Sequence, residues 1–152
     1  MQVFWQIPIT YASNSNTNPG TKPTFWMPAE KQMEITLNDV KEDSWFLVNI
    51  KQTGYYRVQY DDANWMLIAN ELYHGNFTLI SPNNRAQLID DSSVFFENKI
   101  LSIKIVLELM KYLQHDIDYI PWIAATNNLL YMRRMLDNIN SKLSNDFRVQ
   151  AT

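Results

Sequence analysis

Hydrophobic spacing changes from a period of two to a helical period near residue 60, and that switch confines the chain to a β part followed by an α part. From Val3 to Tyr11 the odd positions carry Val3, Trp5, Ile7, Ile9 and Tyr11, while Gln2, Gln6 and Thr10 take even ones. Such alternation predicts a strand, and Pro8, which has no N–H to give a ladder, puts it at an edge or at a bulge. The polar stretch at 13–23, SNSNTNPGTKP, reads as a surface loop. Met33, Ile35 and Leu37 alternate with Gln32, Glu34 and Thr36, which predicts a second strand. Phe46, Val48 and Ile50 form one face of a third, and Tyr56, Val58 and Tyr60 one face of a fourth. With Gln52-Thr53-Gly54 between them, the last two are expected to pair as a hairpin, Gly54 taking the positive φ of a short turn.

Beyond Asp61 the pattern is helical. Asp61 is an N-cap candidate for a helix ending near Tyr73, with Trp65, Ile68 and Leu72 on one face. Ser81-Pro82 supplies an N-cap and a first-turn proline for a helix to about Phe96. Ile103, Val106, Leu107, Met110 and Leu113 make a third stripe. Pro121 introduces a fourth, with Trp122, Ala125, Leu129, Met132 and Leu136 on one side, and a fifth helix is expected from about Ser141. Short connections between the helices imply antiparallel neighbours. The expected architecture is therefore α+β, an antiparallel β-sandwich over 1–60 and an array of antiparallel helix pairs over 61–152. Its 152 residues suit one domain or two small units sharing an interface.

Charge narrows the function classes. A formal net charge of -3 without a Lys/Arg cluster argues against a nucleic-acid partner, which would require a basic stripe. The longest mainly apolar run, Ile100 to Met110, is broken by Ser102, Lys104 and Glu108 and is too short to span a bilayer. MQVFWQIPIT has neither a basic start nor a small-residue cleavage site, so any signal or anchor is expected outside these residues. With no cysteine, disulfides and thiol catalysis are excluded. Asn76-Phe77-Thr78 is an N-glycosylation acceptor pattern between two predicted helices and marks Asn76 as a candidate modification site.

No residue is assigned a catalytic, cofactor or metal role. The two histidines, His74 and His115, do not belong to an H-E-x-x-H helix, which brings two imidazoles and a general base to one face around zinc. Glu71-x-x-His74 is half of a di-iron pattern, but a solvated helix end accounts for it more simply. Asp61-Asp62, Asp90-Asp91 and Asp116-x-Asp118 resemble acid/base pairs; adjacent helical residues diverge by about 100°, so capping and ion pairing explain them better. Arg85, Asp90 and Asp91 are candidates for structural ion pairing, Arg85 with a carboxylate on a neighbouring element or on the Asp90 side of its own helix, with substrate contact as the alternative.

Several phrases occur together in a familiar order: WQIPITYASN, Thr24-Phe25-Trp26-Met27, WFLVNIKQTGYYRVQYDDANW, NRAQLIDD and DYIPW. In these the chain resembles the animal aminopeptidase N family of zinc metallopeptidases, with the polar loop and sequon similar to insect midgut members. The resemblance extends over nearly the whole chain and thins after about Met135. It implies a β-sandwich lacking its first strands, followed by the start of the C-terminal helical domain. It also implies a parent ectoenzyme, on the extracellular face of the plasma membrane, that removes N-terminal residues from peptides with zinc-activated water. The zinc helix and the G-A-M-E-N substrate loop of that family do not occur in this sequence, so no catalytic role is carried over. The implied partners are the catalytic domain of the same parent chain and its peptide substrates, with a toxin or lectin for a receptor-like relative. One departure stands out: where the family has small residues and a Gly, this chain has Val94-Phe95-Phe96-Glu97-Asn98, whose bulk is expected to repack or displace a neighbouring helix.

Overall fold

A computed structural model describes residues 5–139. The chain has an α+β fold in which two two-stranded antiparallel sheets precede four α-helices. β1 (Ile7–Ile9) pairs with β3 (Phe25–Met27), Ile7 opposite Met27, while β2 (Tyr11–Ser13) pairs with β4 (Phe46–Val48), Tyr11 opposite Val48. The long first strand expected from the alternation is thus split at Thr10. Buried Thr10 turns both its acceptors onto the segment after β4: its carbonyl accepts from Asn49 N–H at 3.0 Å and its Oγ1 from Ile50 N–H at 2.8 Å. Pro8 does lie in a two-stranded edge sheet, where its missing donor costs nothing.

Three strand expectations are corrected. Residues 32–37 join no ladder, although Ile35 and Leu37 keep their alternate burial. Residues 55–60 form no strand, and β4 pairs with β2 rather than with them. The hairpin fails because Asn49, Lys51 and Gln52 take positive φ while Gly54 does not, so the chain leaves β4 through a 3₁₀ turn at Ile50–Gln52. Gly54 is needed for a different reason: a Cβ there would lie 2.2 Å from the Tyr56 ring. The buried face of β4 is also opposite to the one read from the pattern, since Trp45, Leu47 and Asn49 are buried and Phe46 and Val48 only partly so. With a side-chain period of two, a one-residue error in phase inverts the assignment.

α1 (Asp62–His74) begins as expected, Asp61 Oδ1 accepting from Asn64 N–H at 2.7 Å, and buries Trp65, Ile68 and Leu72. α2 (Pro82–Glu97) has Ser81 as its N-cap and Pro82 in the first turn. Phe95 and Phe96 are half-buried against the core in an unbroken helix. α3 (Ile103–Met110) continues into a 3₁₀ turn at Lys111–His115. Its buried face is Ile105, Val106, Leu109, Tyr112 and Leu113, whereas Ile103 and Leu107, assigned to the core from sequence, are exposed. α4 (Tyr119–Ile139) buries Pro121, Ala125, Asn128 and Met132 and leaves Trp122 exposed. The fifth helix expected from Ser141 and the side chain of Leu136 lie outside the described residues. α2 packs on α3, on α4 and on the 3₁₀ turn after β4, while α1 packs on α3. One hydrophobic cluster runs from Ala12, Trp45 and Leu47 through Trp65 and Ile89 to Met132, so the β and α parts share a core.

Candidate functional site

α2 is polar in sequence yet buried along most of its length, with Asn84, Arg85, Gln87, Asp91, Ser92 and Ser93 all inside. Buried polar groups are tolerated only with partners, and those partners define the site. Ser92 Oγ and Ser93 Oγ donate to the Ile89 carbonyl at 3.1 and 2.7 Å. Asn84 Oδ1 accepts from Lys51 N–H at 3.0 Å, and its Nδ2 donates to Gln87 Oε1 at 2.9 Å. The first turn of α2 is thereby tied to the left-handed residues that follow β4.

Asn49 organises that crossing. It is fully buried with φ 65°, and its side chain stands in for a β ladder. Nδ2 donates to the carbonyls of Gly54 and Tyr56 at 2.9 and 3.0 Å, and Oδ1 accepts from Gly54 N–H at 2.7 Å. Asparagine is one of the few non-glycine residues that adopts this conformation readily. Segment 55–60 is then fixed from the other side by α2. Asp91 Oδ2 accepts from Val58 N–H at 3.1 Å, and Arg57 Nη1 donates to Asp90 Oδ2 at 2.6 Å and to Asp91 Oδ1 at 2.7 Å. Tyr56 donates its hydroxyl to the Pro8 carbonyl at 2.8 Å, and Tyr60 Oη accepts from Val48 N–H at 2.9 Å. Two backbone groups of 55–60, the Tyr56 carbonyl and the Val58 N–H, are thus met by side chains instead of by a neighbouring strand.

Burial pushes the Asp91 carboxyl above its ordinary range, opposed by the Val58 N–H and the Arg57 guanidinium. Arg57 is held above its ordinary value; burial works against its charge, but the bonds and charges of Asp90 and Asp91 outweigh that. The Tyr60 hydroxyl is pushed well above the ordinary tyrosine value by burial.

A second ion cluster lies between α2 and the approach to α4. Arg85 Nη1 donates to Asp116 Oδ2 at 2.7 Å with both side chains buried, and Nη2 donates to half-exposed Asp118. Asp116 Oδ1 accepts from Asp118 N–H at 2.9 Å, and its carbonyl accepts from Trp122 Nε1 at 2.7 Å. The guanidinium also stands over the Phe77 ring, 5.0 Å from its centroid. Arg85 therefore does not meet Asp90 or Asp91; each reaches across to another element. Sequence reasoning passed over Arg57 and Asn49. Arg57 could have been noticed as a cation set between partly buried Tyr56 and Val58; Asn49 has no signal beyond being an asparagine after a strand.

Two of the three carboxylate pairs, Asp90 with Asp91 and Asp116 with Asp118, are engaged by guanidinium groups. Glu71 Oε1 accepts from Asn76 N–H at 3.0 Å, while the Tyr73 ring meets His74 edge-on and His115 at a tilt. Among the described residues no three His, Cys, Asp or Glu side chains are grouped to hold a metal ion. No helix among them is long and apolar enough to cross a membrane.

Residues 45–151 match the family described as the ERAP1-like C-terminal domain. Aminopeptidase N of Plutella xylostella is 37% identical over 134 residues, 87% of this chain and 14% of that protein. The thyrotropin-releasing hormone-degrading ectoenzyme of Homo sapiens is 34% identical over 145 residues, 95% of this chain and 13% of its own length. Aminopeptidase N of Rattus norvegicus is 35% identical over 134 residues, covering 88% and 13%. The chain thus spans 13–14% of the length of these curated relatives. With the matched region running from the strand that packs on β2 through all four helices, the chain belongs to the aminopeptidase N family and carries its ERAP1-like C-terminal domain.

Proposed function

We propose that this chain is a non-catalytic scaffold of a zinc aminopeptidase, joining a β-sandwich part up to residue 60 to a helical part from residue 61 and lining one wall of the chamber that admits peptide substrates. The observation that carries the reading is the apolar surface of α4 and the β1–β3 sheet. Tyr119, Ile120, Trp122, Ile123, Leu130 and Met135 are exposed on α4, and Trp5 and Trp26 stand out at 76% and 59% exposure. Exposed apolar surface of this kind marks contact sites: the rest of the parent chain, with its catalytic domain, covers the β1–β3 face, while the α4 face is turned to the peptide chamber. Arg57, Asp90 and Asp91, with Arg85, Asp116 and Asp118, hold the joint rigid and have no part in the chemistry. Zinc and the peptide-cleaving residues belong to the catalytic domain, on the extracellular face of the plasma membrane. A toxin or lectin docking on Trp5 and Trp26 is a second reading, favoured by their exposure; saturable binding lost in the Trp26→Ala variant would support it.

The test compares a short chromogenic amino-acid substrate with a long peptide in the full-length protein. Ile120→Asp with Ile123→Asp should change kcat/KM for the long peptide and leave that for the short substrate and the zinc content unaltered. Equal effects on both substrates, or zinc-dependent turnover by residues 1–152 alone, would refute the scaffold role.

A further inference from the structure

We propose that Asn76 carries an N-linked oligosaccharide whose first sugar rests against an aromatic corner formed by Tyr73, His74 and His115. Asn76-Phe77-Thr78 is the single Asn-x-Ser/Thr sequence in the chain. The structure sets it at an exposed corner between α1 and α2, where Gly75 lets the backbone turn off the helix; a Cβ there would come within 2.5 Å of Glu71 Oε1. Asn76 then opens a 3₁₀ turn over Phe77–Leu79. Its backbone N–H goes to Glu71 Oε1, while its Oδ1 accepts from Thr78 N–H at 3.1 Å and from the Thr78 hydroxyl. The carbonyl end of the amide is thus fixed toward the protein. Nδ2 donates to no group among the described residues and can carry a substituent without breaking a bond or burying a sugar.

Three residues upstream, at the end of α1, the half-exposed Tyr73 ring meets His74 edge-on at 4.6 Å between centroids and His115 at 6.2 Å. Flat rings at a solvated corner offer an apolar surface to the C–H face of a pyranose while the sugar hydroxyls remain in water. The attachment step is balanced by one co-reactant, a polyprenyl-pyrophosphate-linked oligosaccharide. The Asn76 amide nitrogen forms a bond to the anomeric carbon, the anomeric C–O bond breaks, the pyrophosphate-bearing lipid leaves, and one amide proton passes to solvent. The step takes place only in a secretory lumen, so the proposal rests on the extracellular placement argued above.

The full-length protein, expressed in eukaryotic secretory cells, separates the two claims. Asn16→Thr turns Asn14-Ser15-Asn16 into a reporter sequon on the exposed loop. Glycosidase release in heavy-oxygen water followed by peptide mass spectrometry reads both sites. Most molecules should be modified at Asn76, with complete loss in Thr78→Ala and retention in Thr78→Ser. A modified Asn14 beside a bare Asn76 overturns the glycan while leaving the extracellular placement standing; two bare sites overturn both. Release of the Asn76 glycan from the native protein should quicken several-fold in Tyr73→Ala, and an unchanged rate would remove the aromatic corner from the proposal.

Discussion

Arg85→Ala should loosen the attachment of α2 to the start of α4 far more than any change at the Arg57 cluster. Removing the guanidinium strands the Asp116 carboxylate, whose side chain is 0% exposed, with the Asp118 N–H and the neighbouring Tyr112 hydroxyl as the donors left to it. Breaking a buried pair in this way costs about 3–5 kcal/mol. Loss of the contact with Phe77 adds about 0.5–2 kcal/mol. Asp118→Asn is the internal control, because that side chain is 48% exposed and an exposed pair is worth about 0–1 kcal/mol. Native-state hydrogen exchange of amides in α2 and in residues 111–118 of the full-length protein reads the local free energy without requiring two-state unfolding. At about 1.4 kcal/mol per factor of ten, the ion-pair loss alone predicts exchange faster by roughly a hundred- to several thousand-fold. The double variant Arg85→Met with Asp116→Leu should recover most of that, since an apolar replacement removes the stranded charge and leaves the Asp118 N–H and the Tyr112 hydroxyl as the groups that lose Asp116. Arg85→Ala behaving like Asp118→Asn, or the double variant failing as badly as the single, would refute the assignment of Asp116 as the buried anion that Arg85 compensates.

Two further outcomes test the joint. Arg57→Ala removes a group that holds the raised Asp91 carboxyl down, so Asp91 should rise further. A carboxyl whose folded value lies above its unfolded one subtracts stability as pH climbs through that interval. The variant should therefore match the parent below the ordinary aspartate range and fall behind above it, by about 1–3 kcal/mol, toward the lower figure because Arg57 is 45% exposed; exchange of the Val58 amide at acid and neutral pH measures it, and a pH-independent deficit counts against the account. Asn49→Ala should cost about 3 kcal/mol through the orphaned Gly54 and Tyr56 groups, and Asn49→Gly about 1 kcal/mol less because glycine accepts φ 65° freely. Equal losses from the two, read by exchange across residues 50–58, would show that backbone conformation is not part of the cost.

The helices were legible because their signals are local. Asp61 and Ser81-Pro82 begin α1 and α2 as read, since a cap depends only on residues within the first turn. The strands were not, because a period of two states which side chains face inward and says nothing of what satisfies the backbone. Residues 55–60 show the gap: Tyr56, Val58 and Tyr60 keep the alternation, but their backbone is bonded by Asn49 and Asp91, 7 and 33 positions away from Tyr56 and Val58 respectively. The phase of α3 was misread for a related reason. Ile103, Ile105, Val106 and Leu107 give apolar residues on every side, and only contact with α1 and α2 decides that Ile105 and Leu109 go inward while Ile103 and Leu107 remain at the surface.

The same contrast explains the ion pairs. Arg85, Asp90 and Asp91 attract attention as a set because they share one helix, yet a helix sorts neighbours onto different faces, and here it aims them at different elements. Arg85 turns toward Asp116 and Asp118 ahead of α4, while Asp90 and Asp91 turn toward Arg57 ahead of α1. A polar helix buried on several sides fits this use. Were α2 apolar, hydrophobic contact would hold it in place but would distinguish weakly among neighbouring registers; directional bonds to segments 49–58 and 116–118 admit one. Both of those segments are irregular backbone with few ladder or helix bonds of their own. The six charges of these two clusters therefore fix two loops to one helix.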